Sequence, residues 1–171
     1  MFATRFAPAS RILRCALTAG LLAGGAVVAA PTAGADDPTL AGWYRITFHT
    51  DQKSGSSIAA AQPETPYTAS YLFTTDCSDG PCIASAVDGP APKENVSPKT
   101  TLEWDGAQWS KSRDWNWDCL LPDGTITYDP AHSVTSYRPQ PDGSLTGSID
   151  TTIDAGACAG TVSIPVTARP S

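Results

Sequence analysis

Apolar and polar residues alternate with a period of two along most of the chain after residue 42. In the first such run, 43–49, the side chains of Tyr44, Ile46 and Phe48 share one face. This spacing is typical of β-strands, because successive side chains of a strand point to opposite sides. Further strands are predicted at 67–75, 83–87, 102–104, 109–119, 126–128, 134–138, 144–150 and 161–168.

Turn-forming residues separate these runs, and Pro130 is expected to end the strand at 126–128, which leaves His132 in a loop. Asp-Gly pairs, which favour tight turns, occur at 79–80, 105–106, 123–124 and 142–143. From residue 36 onward no stretch has a convincing helical period, apart from a short helical turn expected at 58–61. We therefore predict an all-β fold, either a single antiparallel β-barrel or a β-sandwich of about 8–10 short strands. The succession of hairpins favours the barrel.

The segment 102–119 holds four of the five tryptophans. Its Asp105-Gly106 pair predicts a two-residue hairpin turn, which would set Leu102 opposite Trp109. Beyond a bend expected at 112–113, the chain alternates again. The side chains of Trp115, Trp117 and Cys119 then point one way, and the polar residues between them point the other.

Packing in the core is the first explanation for these tryptophans, because a small β-domain needs large apolar side chains. Aromatic rings also line ligand cavities and dominate binding surfaces. Trp43 lies on the less apolar face of its strand, and we take Trp43, Trp109 and Trp115 as candidate ligand-binding residues. A cavity of about 300 Å³ or more among the tryptophans would favour ligand binding.

The N-terminal 35 residues have the pattern of an export signal. Three arginines precede an apolar stretch, 15–30, and Ala33-Gly34-Ala35 matches an A-x-A cleavage site. We predict a signal peptide at 1–35 and a single disulfide-stabilised β-domain at 36–171. An uncleaved membrane anchor is the alternative, since the apolar stretch approaches the length that spans a bilayer.

The charge of the predicted mature chain disfavours two classes of partner. Residues 36–171 carry 8 basic and 17 acidic side chains, a net charge of −9. A chain so acidic is not attracted to nucleic acid or to an anionic membrane surface. We expect no nucleic-acid partner and no membrane span after processing, and we expect a monomer.

Four cysteines remain in this region, an even number that indicates two disulfides in an exported protein. A two-residue turn at 79–80 would set Cys77 directly opposite Cys82, which leaves Cys119 to pair with Cys158. Zinc binding is the alternative for the cysteines. It is disfavoured because no CxxC pair occurs and the two histidines lie far away in sequence.

The sequence contains little evidence for a catalytic site. There is no G-x-S-x-G nucleophile motif, and the cysteines are assigned to disulfides. The histidines, His49 and His132, are each more readily explained as surface or structural residues. The acidic triplet at 114–118 lacks the glycine and glutamate of a calcium loop and is better explained as the polar face of a strand. We therefore assign no catalytic residue, metal or cofactor.

Several short motifs of this chain resemble a group of exported mycobacterial proteins of unknown function. Similar domains form the extracytoplasmic parts of some mycobacterial serine/threonine kinases. The motifs are Gly42-Trp43-Tyr44, Tyr71-Leu72-Phe73, the Cys77/Cys82 hairpin, 104–109, Cys119 with Asp123-Gly124-Thr125, Leu145-Thr146-Gly147 and Cys158-Ala159-Gly160. The resemblance implies an extracytoplasmic β-domain and supplies no catalytic residues.

The functional expectation is an exported, non-catalytic β-domain that binds an envelope lipid, glycan or protein. A small secreted hydrolase that uses scattered carboxylates or a histidine is the alternative.

Overall fold

A computed structural model describes residues 39–90 and 100–171, so the predicted signal peptide at 1–35 lies outside the described residues. Eight strands occur in this part of the chain. They are β1 (Gly42–Phe48), β2 (Tyr67–Asp76), β3 (Ile83–Asp88), β4 (Thr101–Trp104), β5 (Trp109–Leu120), β6 (Ile126–Pro139), β7 (Leu145–Ile153) and β8 (Gly160–Pro170). Two 3₁₀ helices, Thr50–Gln52 and Ile58–Ala61, lie between β1 and β2, and the second is the predicted helical turn.

The strands form a closed antiparallel barrel in chain order. Each strand pairs with the next, and β1 pairs with β8 through Ile46–Ala168 and its neighbours. Closure removes the exposed edges that an open sheet would carry. The predicted all-β antiparallel fold is confirmed, and of the two architectures considered the chain adopts the barrel.

Two apolar clusters form the core of the barrel. The larger cluster contains Leu40, Tyr44, Ile46, Phe48, Phe73, Cys82, Ala84, Leu102, Trp109, Tyr137, Leu145, Val166 and Ala168. The smaller contains Ala59, Cys119, Ala131, Ile153, Cys158 and Val162. Most members of both clusters are inward-facing strand residues. The others are Leu40 before β1, Ala59 in the second 3₁₀ helix, and Cys82 and Cys158, which precede β3 and β8.

The predicted bend in the tryptophan segment does not occur. Strand β5 runs without interruption from Trp109 to Leu120 and pairs with β6 along its whole length. Residues 109, 111, 113, 115, 117 and 119 therefore all face the barrel interior. The bend expected at 112–113 is absent because the regular alternation continues there, with Lys111 and Arg113 on the inward face and Ser112 exposed on the outer face.

The turn between β4 and β5 also differs from the prediction. Trp104 lies opposite Trp109, and the central turn residues are Gly106 and Ala107. The Asp105 carboxylate accepts hydrogen bonds from the amides of Ala107 and Gln108, both at 2.9 Å, which fixes the turn at this position. The register is shifted by two residues, so the predicted inward face is unchanged.

Strand β6 continues through Pro130, where the sequence predicted a break. The carbonyl of Pro130 accepts a hydrogen bond from the amide of Asp154 at 2.8 Å, and the β6–β7 ladder begins one residue later, at Ala131–Ile153. The missing N–H of Pro130 points to the same side as its carbonyl, beyond the end of β7. The β5–β6 ladder is therefore unaffected, and His132 lies in a strand instead of the predicted loop.

The cysteines form the two predicted pairs. Cys77 and Cys82 are joined across the β2–β3 hairpin, whose register sets Asp76 opposite Ile83. Cys119 of β5 is joined to Cys158, which precedes β8, and both are fully buried. None of the helices in residues 39–90 and 100–171 has the length and apolar character needed to cross a membrane.

A candidate ligand-binding cavity

A cavity of about 1010 Å³ lies inside the barrel. Its lining comes from the inward faces of β1, β2 and β4 to β8, together with the end of β3 and residues next to these strands. Ligand pockets in proteins measure roughly 300–1,000 Å³, so the cavity is large enough for a small organic molecule. Eight-stranded barrels are about the smallest that can hold such a ligand in the interior.

Within residues 39–90 and 100–171, the wall of the barrel is short on the β4 side of β5. The β4–β5 ladder consists of two residue pairs and ends at Glu103–Ser110, whereas β5 pairs with β6 over twelve residues. Several exposed residues line the cavity near this interruption, including Tyr67 at the start of β2 and Val87 at the end of β3. In the part of the chain that the structure describes, the cavity is therefore least covered between β2 and β5.

Two cationic side chains of β5, Lys111 and Arg113, line the cavity. Burial lowers the pKa of Lys111 to about 8, and the neighbouring positive charge of Arg113 contributes to this shift. Burial also lowers the pKa of Arg113, an effect that nearby Tyr71 partly opposes. Neither forms an ion pair with any carboxylate of residues 39–90 or 100–171. The structure therefore holds two neighbouring, partly buried positive charges on the cavity wall.

The contacts of these two cations are weak or apolar. The Lys111 ammonium is 3.4 Å from the Thr100 hydroxyl, a long hydrogen bond. The guanidinium carbon of Arg113 lies 4.7 Å from the ring centroid of Trp115, which is the geometry of a cation–π contact. A cation–π contact of this kind does not use the hydrogen-bonding capacity of the guanidinium N–H groups.

Aromatic and hydroxyl side chains form the wall next to the cations. The rings of Trp115 and Trp117 are 5.4 Å apart. The indole N–H of Trp115 donates to the Ser133 hydroxyl at 2.7 Å, and that hydroxyl is 2.7 Å from the Thr151 hydroxyl. This chain of hydrogen bonds crosses β5, β6 and β7 and fixes the orientation of the Trp115 ring.

Three tyrosines of the lining remain neutral at physiological pH. Burial raises the pKa of Tyr67, Tyr71 and Tyr137, and the proximity of the tyrosines to one another adds to the shift for Tyr67 and Tyr137. Their hydroxyl groups can donate or accept hydrogen bonds without contributing charge. The tyrosines therefore leave the positive potential around Lys111 and Arg113 intact.

Three carboxylates also line the cavity, but they are exposed. Glu64 lies 3.3 Å from the ammonium of Lys53, in an ion pair that lacks hydrogen-bond geometry. The Asp88 carboxylate accepts from the amide of Gly89 at 2.7 Å, and Asp118 lies on the outward-facing side of β5. Negative charge is thus found at the rim, whereas the two cations lie deeper.

The three candidate residues from the sequence occupy different environments. Trp115 lines the cavity. Trp109 is 1% exposed and packs against Trp104 in the larger apolar cluster, and Trp43 is 42% exposed on the outside of β1. The structure does not bring these three side chains together.

Sequence reasoning missed Lys111 and Arg113. An expected bend at 112–113 separated them from the alternation that continues to Cys119. The signal was present, because every second residue from Trp109 to Cys119 faces inward in a single unbroken strand. Without the assumed bend, period-two alternation alone would have placed both cations inside.

Other candidate chemistry lies away from the cavity. The His49 ring is 3.0 Å from the Thr167 hydroxyl, and the ring of His132 is 2.8 Å from the Asp114 carboxylate on the outer face. Cys119, Cys158 and Asp129 place three potential metal ligands together. The two sulfur atoms are bonded to each other, however, so they are not thiolate ligands.

Comparison with known proteins places the fold among kinase sensor domains. The family model of the PknI serine/threonine-protein kinase sensor domain matches residues 37–171. The serine/threonine-protein kinases PknI of Mycobacterium bovis and Mycobacterium tuberculosis are each 26% identical to the chain over 144 residues, covering 79% of this chain and 24% of each kinase. The chain thus spans about a quarter of the length of these curated relatives.

Two solved structures are also similar to the chain. The monomer form of the M. tuberculosis PknI sensor domain superposes with a TM-score of 0.56 and 22% sequence identity, covering 78% of this chain and 88% of that one. The dimer form of that domain gives a TM-score of 0.49 and 22% identity, with coverages of 64% and 73%. The first of these likenesses supports the barrel fold.

Proposed function

The chain belongs to the family of PknI sensor domains, and from this premise we propose that it is a non-catalytic extracytoplasmic domain that binds a small molecule inside its barrel. The cavity of about 1010 Å³ carries this proposal. An interior of this size, with hydrogen-bonding groups and aromatic rings on its wall, has the composition of a ligand site.

The internal polar groups support this function over a purely structural one. A barrel stabilised only by packing would fill its interior with apolar side chains, because buried polar groups cost free energy unless they are paired. Here Lys111 and Arg113 face a cavity instead of a packed core, and neither is paired with a carboxylate of the described residues. Such groups are expected where a ligand completes their interactions.

Binding can be tested with N-phenyl-1-naphthylamine, an uncharged aromatic probe whose fluorescence increases in apolar sites. We expect saturable binding to the folded protein. Replacement of Ile149, which lines the cavity, by Trp should fill space and weaken binding about tenfold or more. The matched control is Val134→Trp on the outer face of β6, which should leave binding unchanged. Equal affinities for both variants would place the probe outside the cavity and contradict the proposal.

The extracytoplasmic location is part of the proposal. It is supported by the two disulfides, which persist in oxidising compartments, and by the export-signal pattern at 1–35. N-terminal sequencing of protein recovered outside the cytoplasm should give Asp36 as the first residue. A terminus at Met1 on membrane-bound protein would contradict cleavage and favour a retained anchor.

A further inference from the structure

Resting on the proposed function, we propose that the ligand is an amphipathic anion, whose carboxylate or phosphate group binds Lys111 and Arg113 and whose apolar part lies against Trp115 and Trp117. The cations and the rings belong to the same inward face of β5. One ligand can therefore contact both kinds of group at once.

The charge arrangement favours an anion. Lys111 and Arg113 are two residues apart on one face of a strand, which separates their Cα atoms by about 7 Å. Two like charges at this spacing repel each other, and burial increases the cost. Among the residues described, no carboxylate lies within 4.0 Å of either group. An anion placed between them would relieve both the repulsion and the loss of hydration.

The Arg113 side chain suits a planar or tetrahedral oxyanion. Its guanidinium carbon lies 4.7 Å from the Trp115 ring centroid, and its hydrogen-bonding edge has no carboxylate partner among the residues described. This edge matches two oxygens of a carboxylate or phosphate, and the Lys111 ammonium can contribute a further donor. Charge-assisted hydrogen bonds of this kind are stronger than neutral ones, especially when water is excluded.

The rest of the cavity argues for an apolar portion of the ligand. Beyond the two cations, the lining includes Trp115, Trp117, Ile149 and Ile164. A small inorganic anion would leave this surface in contact with water. The exposed carboxylates of Glu64, Asp88 and Asp118 at the rim disfavour polyanions. A single anionic group attached to an apolar body satisfies both regions.

A matched pair of competitors tests the ligand class. Dodecanoate and dodecanol share the same tail but differ in headgroup charge, and each is titrated against bound N-phenyl-1-naphthylamine at pH 7. We expect dodecanoate to displace the probe at a concentration about tenfold lower than dodecanol, or lower still. Dodecyl phosphate should behave like dodecanoate, whereas inorganic phosphate at the same concentrations should not displace the probe.

Variants of Lys111 and Arg113 test whether these residues bind the anionic headgroup of the ligand. Lys111→Met and Arg113→Gln should each weaken dodecanoate competition about tenfold or more, while dodecanol competition changes less than about threefold. Arg45→Gln is the control, because it removes an outward-facing charge of β1 and should change neither value. Circular dichroism confirms that each variant is folded. If Arg113→Gln does not fold, Lys111→Met and the charge-conserving Arg113→Lys, which should retain a preference for dodecanoate, provide the same test.

The outcomes separate this inference from the proposed function. If the probe binds in the cavity but dodecanoate and dodecanol compete equally, the ligand class is wrong and the proposed function stands. Displacement by inorganic phosphate as effective as by dodecyl phosphate would overturn the amphipathic part. Equal losses in Arg45→Gln and Arg113→Gln would show that net charge, not the cavity, governs binding. Absence of saturable probe binding would contradict both proposals.

Discussion

Lys111 and Arg113 impose a cost on the unliganded fold that other lining residues do not. A charged side chain moved from water to a protein interior loses hydration, and an opposite charge normally compensates for that loss. The described residues supply instead a hydroxyl at 3.4 Å for Lys111 and an aromatic face for Arg113. At the scale of single residues, the candidate site is therefore a place where stability and binding oppose each other.

Lys111→Met should make the folded protein more stable at pH 7. The pKa of Lys111 falls from 10.5 to about 8 on folding, so between about pH 8 and 10.5 the unfolded chain binds more protons than the folded one. The free energy of unfolding should rise with pH across this window through the Lys111 contribution, and the destabilisation should be fully present below it.

Urea unfolding of the wild type and of Lys111→Met at several values from pH 7 to 10.5 measures this effect. The advantage of the variant should shrink as pH rises. Taking the difference between the two proteins removes the contributions of Tyr71 and other groups that titrate at high pH. A constant difference across the range would mean that Lys111 does not lose its proton more readily in the folded state.

The tryptophans should differ in their contributions to stability. Trp109 is 1% exposed, so Trp109→Ala should cost about 3–5 kcal/mol of unfolding free energy. Trp43 is 42% exposed on the outer face, and Trp43→Ala should cost less than about 1 kcal/mol. Trp117 is only partly buried and borders the cavity, so its replacement by Ala should fall between these values. Urea unfolding gives all three, and a larger loss for Trp43→Ala than for Trp109→Ala would contradict the assigned faces.

At the scale of strands, alternation predicted much of the barrel correctly. It gave the inward face of β1 and the inward positions of Trp115, Trp117 and Cys119. The Asp79-Gly80 turn gave the β2–β3 register. Two errors, the expected bend at 112–113 and the expected break at Pro130, arose because a few residues were interpreted apart from the strand that contains them. Pro130 was taken as a break because the sequence does not reveal that its missing N–H points past the end of β7.

Gly147 shows how closely two strands can be held. A Cβ atom added at Gly147 would collide with the backbone carbonyl oxygen of Ser136 in β6. Because the obstacle is backbone, Gly147→Ala should force β6 and β7 apart and cost about 1–3 kcal/mol. Thr146→Ala, at the neighbouring exposed position, is the control. Thermal unfolding that is unchanged for Gly147→Ala would mean that the two strands separate easily.

At the scale of the whole molecule, the succession of hairpins favoured a barrel, but the strand pairing that closes it and the cavity inside it could not be derived from the sequence. Closure depends on β1 meeting β8, a pairing between residues more than a hundred positions apart. The cavity depends on the short β4 ladder and on inward side chains from most of the strands. Neither feature is encoded in any local pattern. Period-two alternation indicates which face of a strand points into the barrel, but it does not indicate whether side chains fill the barrel interior.

The two disulfides should stabilise the barrel unequally. Cys119 and Cys158 are 39 residues apart in sequence, whereas Cys77 and Cys82 are separated by 5. In the chain-entropy description, a longer closed loop restricts the unfolded chain more strongly. We expect Cys119→Ala/Cys158→Ala to lower the free energy of unfolding by about 4 kcal/mol and Cys77→Ala/Cys82→Ala by about 2 kcal/mol.

Urea unfolding of both double variants under non-reducing conditions tests this order. The buried position of Cys119 and Cys158 in the smaller apolar cluster should increase the difference, because their replacement by Ala also removes packed sulfur atoms. Cys119 shares the inward face of β5 with Lys111 and Arg113, so the first variant should also weaken probe binding. Greater destabilisation by loss of the hairpin disulfide would show that the β2–β3 hairpin, and not the β5 side of the barrel, limits global unfolding.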